Sequence, residues 1–146
     1  MNAGGKGMEP VMDRAALAAF LAREFPQVAG DYAVEEVGRN RALLRLRVDD
    51  RHLRPGATVS GPAIFALADV AMYMAILAMI GPQALTVTTS CSIDFMRKPA
   101  AGRDLLAEAR ILKLGRVLVV GDVLVRAEGG ADPVARAGLT YSIPPR

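Results

Sequence analysis

One cysteine, one histidine and no tryptophan occur in the 146 residues. The lone Cys91 excludes an internal disulfide and points to a reducing compartment, so a cytoplasmic location is expected. With one cysteine and one histidine there is no His/Cys metal cluster, and a Ser–His–Asp triad would have to use His52. Aromatic residues are only 5%, so the core must come from Ala, Val, Leu, Ile and Met. No Lys/Arg run with interleaved aromatics occurs and the net charge is only +3, which speaks against a nucleic-acid partner. The basic residues are mostly Arg, whose planar fork of donors suits a phosphate-bearing ligand as well as it suits a plain soluble surface. The opening MNAGGKGMEP has no apolar signal core and reads as a disordered or weakly tethered segment, residues 1–10.

What the chain has in quantity is apolar residues, 52% of the total. That is enough to bury a sizeable core, and the length suits one domain over 11–146. The longest apolar run is SGPAIFALADVAMYMAILAMI, Ser60 to Ile80, interrupted near its middle by Asp69. The run is long enough to cross a membrane. A mid-span carboxylate is costly in lipid, however, and no Lys/Arg cluster borders the segment. A central helix inside a soluble domain is expected instead, with no membrane partner.

The rest of the chain reads as short elements around that helix. Asp13–Phe25 is an amphipathic helix with Asp13 as N-cap and Leu17, Phe20, Leu21 and Phe25 on its inner face, ended by Pro26. Asp31–Val37 and Arg41–Val48 form a hairpin through Gly38-Arg39-Asn40, with Leu44, Leu46 and Val48 alternating against Arg45 and Arg47. Asp49–Val59 reads as a loop. The long helix starts at Ser60 or Gly61, with Pro62 in its first turn, and stops at Gly81-Pro82. Four strands follow: Leu85–Arg97, Asp104–Leu114, Arg116–Ala127 and Pro133–Ile143. The nearly continuous apolar VLVVGDVLV suits a central strand, and Gly121 within it marks a bulge or a close backbone approach. Hairpin-length turns imply an antiparallel sheet, which must wrap a helix that is apolar nearly all round. The fold class is therefore α+β.

This pattern, over roughly residues 40 to 143, resembles the hotdog fold: five to six antiparallel strands wrapped around one long central helix, here with an N-terminal helix added. More narrowly it is similar to the PaaI-like acyl-CoA thioesterases. Their motif is an Asn, then a Gly, then His-Gly-Gly opening the helix, with an acidic residue nine positions after the His. Asp69 falls nine after Ser60, and Gly61 matches the first Gly. The run TVTTSCSIDFMRKPAAGRDLLAEARILKLGR, Thr86 to Arg116, is similar to the strand, Phe-x-Arg-Pro, Gly-Asp and Gly-Arg features of that family. Ser60 replaces the His, Pro62 the second Gly and Arg54 the Asn, while Ala57 stands where the earlier Gly is usual.

The resemblance implies thioester hydrolysis with no cofactor, coenzyme A entering only as part of the substrate. Asp69 would be the base or nucleophile. The Gly61 amide, at a helix N-terminus where N–H groups lack intrahelical partners, would polarise the thioester carbonyl. Ser60-Gly61-Pro62 is equally explicable as a good helix start. Thr88 matches a position where relatives carry a hydroxyl, with Thr89 next to it. Ser90 is expected on the same strand face as Thr88. Tyr73, one turn after Asp69, either donates to its carboxylate or is core. Arg54, Arg97, Lys98 and Arg116 are candidates for the coenzyme A phosphates, and the acyl pocket is expected along Met72, Met74 and Ile76. His52 reads as a loop residue or as a substitute proton donor, and Cys91 as a small core residue. Gly61 and Asp69 are about 12 Å apart along one helix, so the resemblance implies a homodimer, or a dimer of dimers, in which each site takes one residue from each chain. A non-catalytic protein that binds acyl-CoA or an acyl carrier is the alternative left by the missing His. A hotdog hydratase would need His52 near the acid.

Overall fold

The structure, a computed structural model, describes residues 9–145. The segment expected to be disordered lies, apart from Glu9 and Pro10, outside the described residues.

Helix α1 is Arg14–Glu24. It begins because the Asp13 carboxylate accepts from the Ala16 N–H at 2.9 Å, and it buries Leu17, Phe20 and Leu21. Strands β1 (Tyr32–Gly38) and β2 (Arg41–Leu46) form the expected hairpin. The stretch expected to be a plain loop instead folds as a short 3-10 turn, Asp50–His52, and a small hairpin of β3 (Leu53–Arg54) and β4 (Thr58–Val59). Its tight turn places Gly56 at φ 98° and Ala57 at φ 59°. Ala57 thus holds a left-handed backbone that favours glycine.

Helix α2 spans Gly61–Ile80. The Ser60 hydroxyl accepts from the Ala63 N–H at 3.2 Å to open it, and Gly81 at φ 97° closes it. Strands β5 (Val87–Phe95), β6 (Leu105–Leu114), β7 (Leu118–Ala127) and β8 (Pro133–Ser142) complete one antiparallel sheet in the order β1-β2-β6-β7-β8-β5. This is the hotdog architecture. From Ala71 to Met79 every residue of α2 is buried, so the helix fills the hollow of the sheet and acts as the core of the fold, although it is long and apolar enough to cross a membrane. Its first half is different: Pro62 and Phe65 are exposed, and Asp69 is half-buried. The sheet wraps the second half and leaves one face of the first half open.

The close backbone approach expected at Gly121 is present, and the bulge lies in the facing strand, not at Gly121 itself. Gly121 pairs with Ile111 beside a register shift in β6, and a Cβ placed on it would overlap the Met72 side chain and lie 2.6 Å from the Arg110 carbonyl oxygen. The central strand β7 turns Val119, Val123 and Val125 inward, while Leu118, Val120 and Leu124 stay exposed on the outer face of the sheet.

Candidate active site

Asp69 is reached from three elements. The Thr88 hydroxyl of β5 donates to Asp69 Oδ1 at 2.6 Å. The Tyr141 hydroxyl of β8 lies 2.6 Å from the same oxygen and 2.7 Å from the Asp69 backbone carbonyl. Thr88 and Tyr141 are cross-strand partners, so one row of the sheet supplies both donors. No described residue donates to Oδ2. The carboxylate lines a cavity of about 370 Å³ between α1, α2 and the start of β5, together with Phe25, Tyr32 and Tyr73. All three tyrosines of this aromatic-poor chain line that cavity.

Burial and the charge of Asp69 act on the groups around it. Burial, then the charge and hydrogen bond of Asp69, push the Tyr141 phenol far above its ordinary value. Tyr73 is pushed up to about 12, chiefly by burial. Burial and then Asp69 raise the Cys91 thiol, which leaves it a poor nucleophile.

Gly61 opens onto a different cavity, also about 370 Å³, lined by Arg54, Arg97 and Lys98 with Phe95. The β3–β4 hairpin builds it: Val59 N–H donates to Pro99 O at 3.0 Å and Ala101 N–H to Ala57 O at 3.0 Å, which folds Arg54 over the segment after β5. Arg54, Arg97 and Lys98 are exposed around a helix N-terminus, a setting that attracts anions. One Arg97 N–H donates to Pro133 O at 2.6 Å.

Several expectations are revised. Of the two readings of Tyr73 the core one holds: it is buried, its hydroxyl donates to Ala84 O at 2.8 Å and not to Asp69, and its ring stacks on that of Tyr141, centroids 6.2 Å apart and planes 14° apart. Ser90 does not share a face with Thr88. The strand shifts register between them, leaving Thr89 as the extra residue, so Ser90 pairs with outward Thr140 while Thr88 pairs with inward Tyr141. Thr89 is exposed and donates to Thr140 O at 3.3 Å. Arg116 lies in the β6–β7 turn, beside the row of Leu118, Ser142 and Val87, at the end of the sheet opposite Arg97 and Lys98. Met72, Met74 and Ile76 are fully buried and line neither of these two cavities, because β7 and its neighbours close over them. His52 is a buried strut: its Nδ1 accepts from Asp49 N–H at 2.9 Å, its Nε2 lies 3.5 Å from Asp31, and its carbonyl accepts from Ser60 N–H at 2.8 Å. It braces the start of α2 and lines neither cavity.

Sequence reasoning missed Tyr141. The alternation Ala135, Ala137, Leu139, Tyr141, Ile143 was a readable inner face with a single polar tip in it. One of only three tyrosines, at an inward position, was the available signal.

The hotdog sheet, with Asp69 on its central helix and Gly61 opening that helix, is the arrangement that the resemblance to hotdog thioesterases implies. Residues 56–134 match the profile of the Thioesterase superfamily. A crystal structure described as a "putative thioesterase" from Silicibacter sp. TM1040 is 54% identical, with a TM-score of 0.88 over 96% of this chain and 97% of that one. A mutant of the phenylacetic acid degradation protein PaaI from Thermus thermophilus is 26% identical, with a TM-score of 0.69 over 82% of this chain and 99% of that one. A "putative esterase" of Pseudomonas aeruginosa is 26% identical over 79% of this chain and 84% of its own. The chain belongs to the Thioesterase superfamily, a class of hydrolases.

Proposed function

We propose that this protein hydrolyses acyl-CoA thioesters as a homodimer. The observation that carries the reading is Asp69: a carboxylate with one oxygen held by two hydroxyls and no described residue donating to the other, in the wall of an aromatic cavity. As a base, Oδ2 takes a proton from water as the water oxygen bonds to the thioester carbon. As a nucleophile, Oδ2 bonds to that carbon itself and water then cleaves the resulting anhydride. In either route the C–S bond breaks and the sulfur leaves as coenzyme A thiol after gaining a proton. The Gly61 amide stabilises the charge that develops on the carbonyl oxygen. The acyl group occupies the Asp69 cavity. Arg54, Arg97 and Lys98 meet phosphates of coenzyme A.

The dimer reading is supported by the edges of the sheet. Strand β5 ends the sheet with one side unpaired. The opposite edge, β1, has its Tyr32 and Glu35 carbonyls covered by Arg47 and Arg14. Antiparallel pairing of two β5 strands across a two-fold axis would bring the Thr88 end of one chain to the Phe95–Arg97 end of its partner. Asp69 of each chain would then face Gly61 of the other, and Arg116 would join the partner's basic cavity. A structure of a Streptococcus pneumoniae hypothetical thioesterase with coenzyme A, 19% identical with a TM-score of 0.75, shares the fold.

The test is a thiol-release assay on purified protein against short, medium, long and aromatic acyl-CoAs. Steady release of free thiol supports hydrolysis. The competing reading, binding without turnover, is favoured by Ser60 serving as a helix cap where relatives carry an imidazole. Saturable binding of acyl-CoA with no thiol released would establish it.

A further inference from the structure

We infer that Tyr141 is a positioning residue of the site: with Thr88 it fixes Oδ1 of Asp69, so that Oδ2 is the oxygen offered to substrate. This rests on the reading of Asp69 as the reacting carboxylate.

The geometry is specific. A carboxylate on a helix ordinarily swings about its side-chain torsions, and each orientation exposes a different oxygen. Here two hydroxyls converge on one oxygen at 2.6 Å each. The Tyr141 hydroxyl also lies 2.7 Å from the Asp69 backbone carbonyl oxygen, so it references the side chain to the main chain of the same residue. Hydroxyl bonds to an ionised acceptor are short and strong. Both donors stand in one cross-strand row, set by the register shift at Thr89.

Tyr141 is itself held. Its side chain is almost wholly buried, and its ring stacks on Tyr73. The Tyr73 hydroxyl is tied to the Ala84 carbonyl, and Phe20 and Phe25 meet its ring edge-on at 6.0 and 5.9 Å. The support therefore runs from α1 through Tyr73 to Tyr141 and then to Asp69. Burial keeps Tyr141 protonated, so its O–H remains a donor. A phenylalanine at 141 would keep the ring and the stack and remove only the bond to Asp69.

The test compares wild type, Tyr141→Phe, Thr88→Val, Thr88→Ser and Asp69→Ala by thiol release, and adds crystal structures of wild type and Tyr141→Phe. The expected result is a kcat about 10- to 100-fold lower in Tyr141→Phe, with KM within about twofold, the signature of lost orientation rather than lost binding. Thr88→Ser keeps its hydroxyl and is expected to retain more activity than Thr88→Val. In Tyr141→Phe crystals the Asp69 carboxylate should occupy more than one orientation. If Tyr141→Phe keeps its kcat while Asp69→Ala is dead, the positioning role is overturned and the Asp69 reading stands. If Asp69→Ala stays active, the Asp69 reading fails, and the crystal structures still decide the contact: an Asp69 carboxylate unmoved by Tyr141→Phe overturns the positioning role. Should Tyr141→Phe fail to fold, Thr88→Val and its serine control carry the same comparison, and equal activity of the two overturns it.

Discussion

Gly61 and Asp69 share one helix but open into different cavities. They are eight positions apart, about 12 Å along the axis. A thioester carbonyl cannot meet the Gly61 amide and the Asp69 carboxylate of one chain together. The proposed site uses both residues, so it takes each of them from a different chain.

The first prediction follows from that separation. Asp69→Ala and Gly61→Leu are each expected to be inactive as pure proteins, the second because a leucine side chain would press on the Phe95 ring that already lies 3.5 Å from a Cβ at Gly61. Unfolded and refolded together, they should recover about a quarter of wild-type thiol release, because half the dimers are mixed and each mixed dimer has one intact site. Mixtures that remain inactive would contradict a shared site.

Gly121→Ala should destabilise the fold by about 1–3 kcal/mol. The added methyl meets Met72 at the centre of the core and the Arg110 carbonyl of the neighbouring strand, and backbone cannot yield as a flexible side chain does. Urea denaturation of the two proteins reads the difference. An unchanged midpoint would mean that β7 lies further from α2 than described.

Thr86→Val should raise stability by about 1 kcal/mol. The Thr86 hydroxyl is buried beside the Asp69 cavity with no hydrogen-bond partner among the described residues, and valine replaces it at nearly the same shape. A lower melting temperature in the variant would show that the hydroxyl is paired in solution.

Alkaline pH should leave the site intact through the range where an ordinary tyrosine ionises, near 10.0. A raised phenol value means that the neutral O–H form persists to higher pH, so the Tyr141 donor is not lost there. Tyr73, pushed up to about 12 chiefly by burial, should ionise later than a free phenol standard. Ultraviolet difference titration beside the pH–activity profile reads both. A loss of kcat that tracks phenolate formation near pH 10 would contradict the buried, protonated Tyr141.

The fold was legible in the sequence because its signals are local. Asp13, Ser60-Gly61-Pro62 and Gly81 mark helix ends, and Leu44 and Leu46 mark a one-sided strand. Asp69 was legible because a carboxylate in an apolar run needs a reason. The misreadings were non-local. One extra residue at Thr89 reverses the strand face, so alternation wrongly grouped Ser90 with Thr88. The hairpin in 53–59 rests on Gly56 and on Ala57 in a conformation alanine disfavours, and no periodicity announces it. Met72, Met74 and Ile76 looked adaptable enough to line a pocket, yet the helix half that carries them is sealed by the sheet. Tyr73 and Tyr141 are 68 residues apart, and only the folded sheet decides which phenol reaches the acid.

The most direct measurement is the acyl-CoA thiol-release rate of wild type and Asp69→Asn side by side, with melting temperatures taken on the same samples. Thioester hydrolysis through Asp69 predicts a loss of about a thousandfold or more in the variant, at a melting temperature close to wild type. A folded Asp69→Asn protein that turns over at the wild-type rate would contradict it.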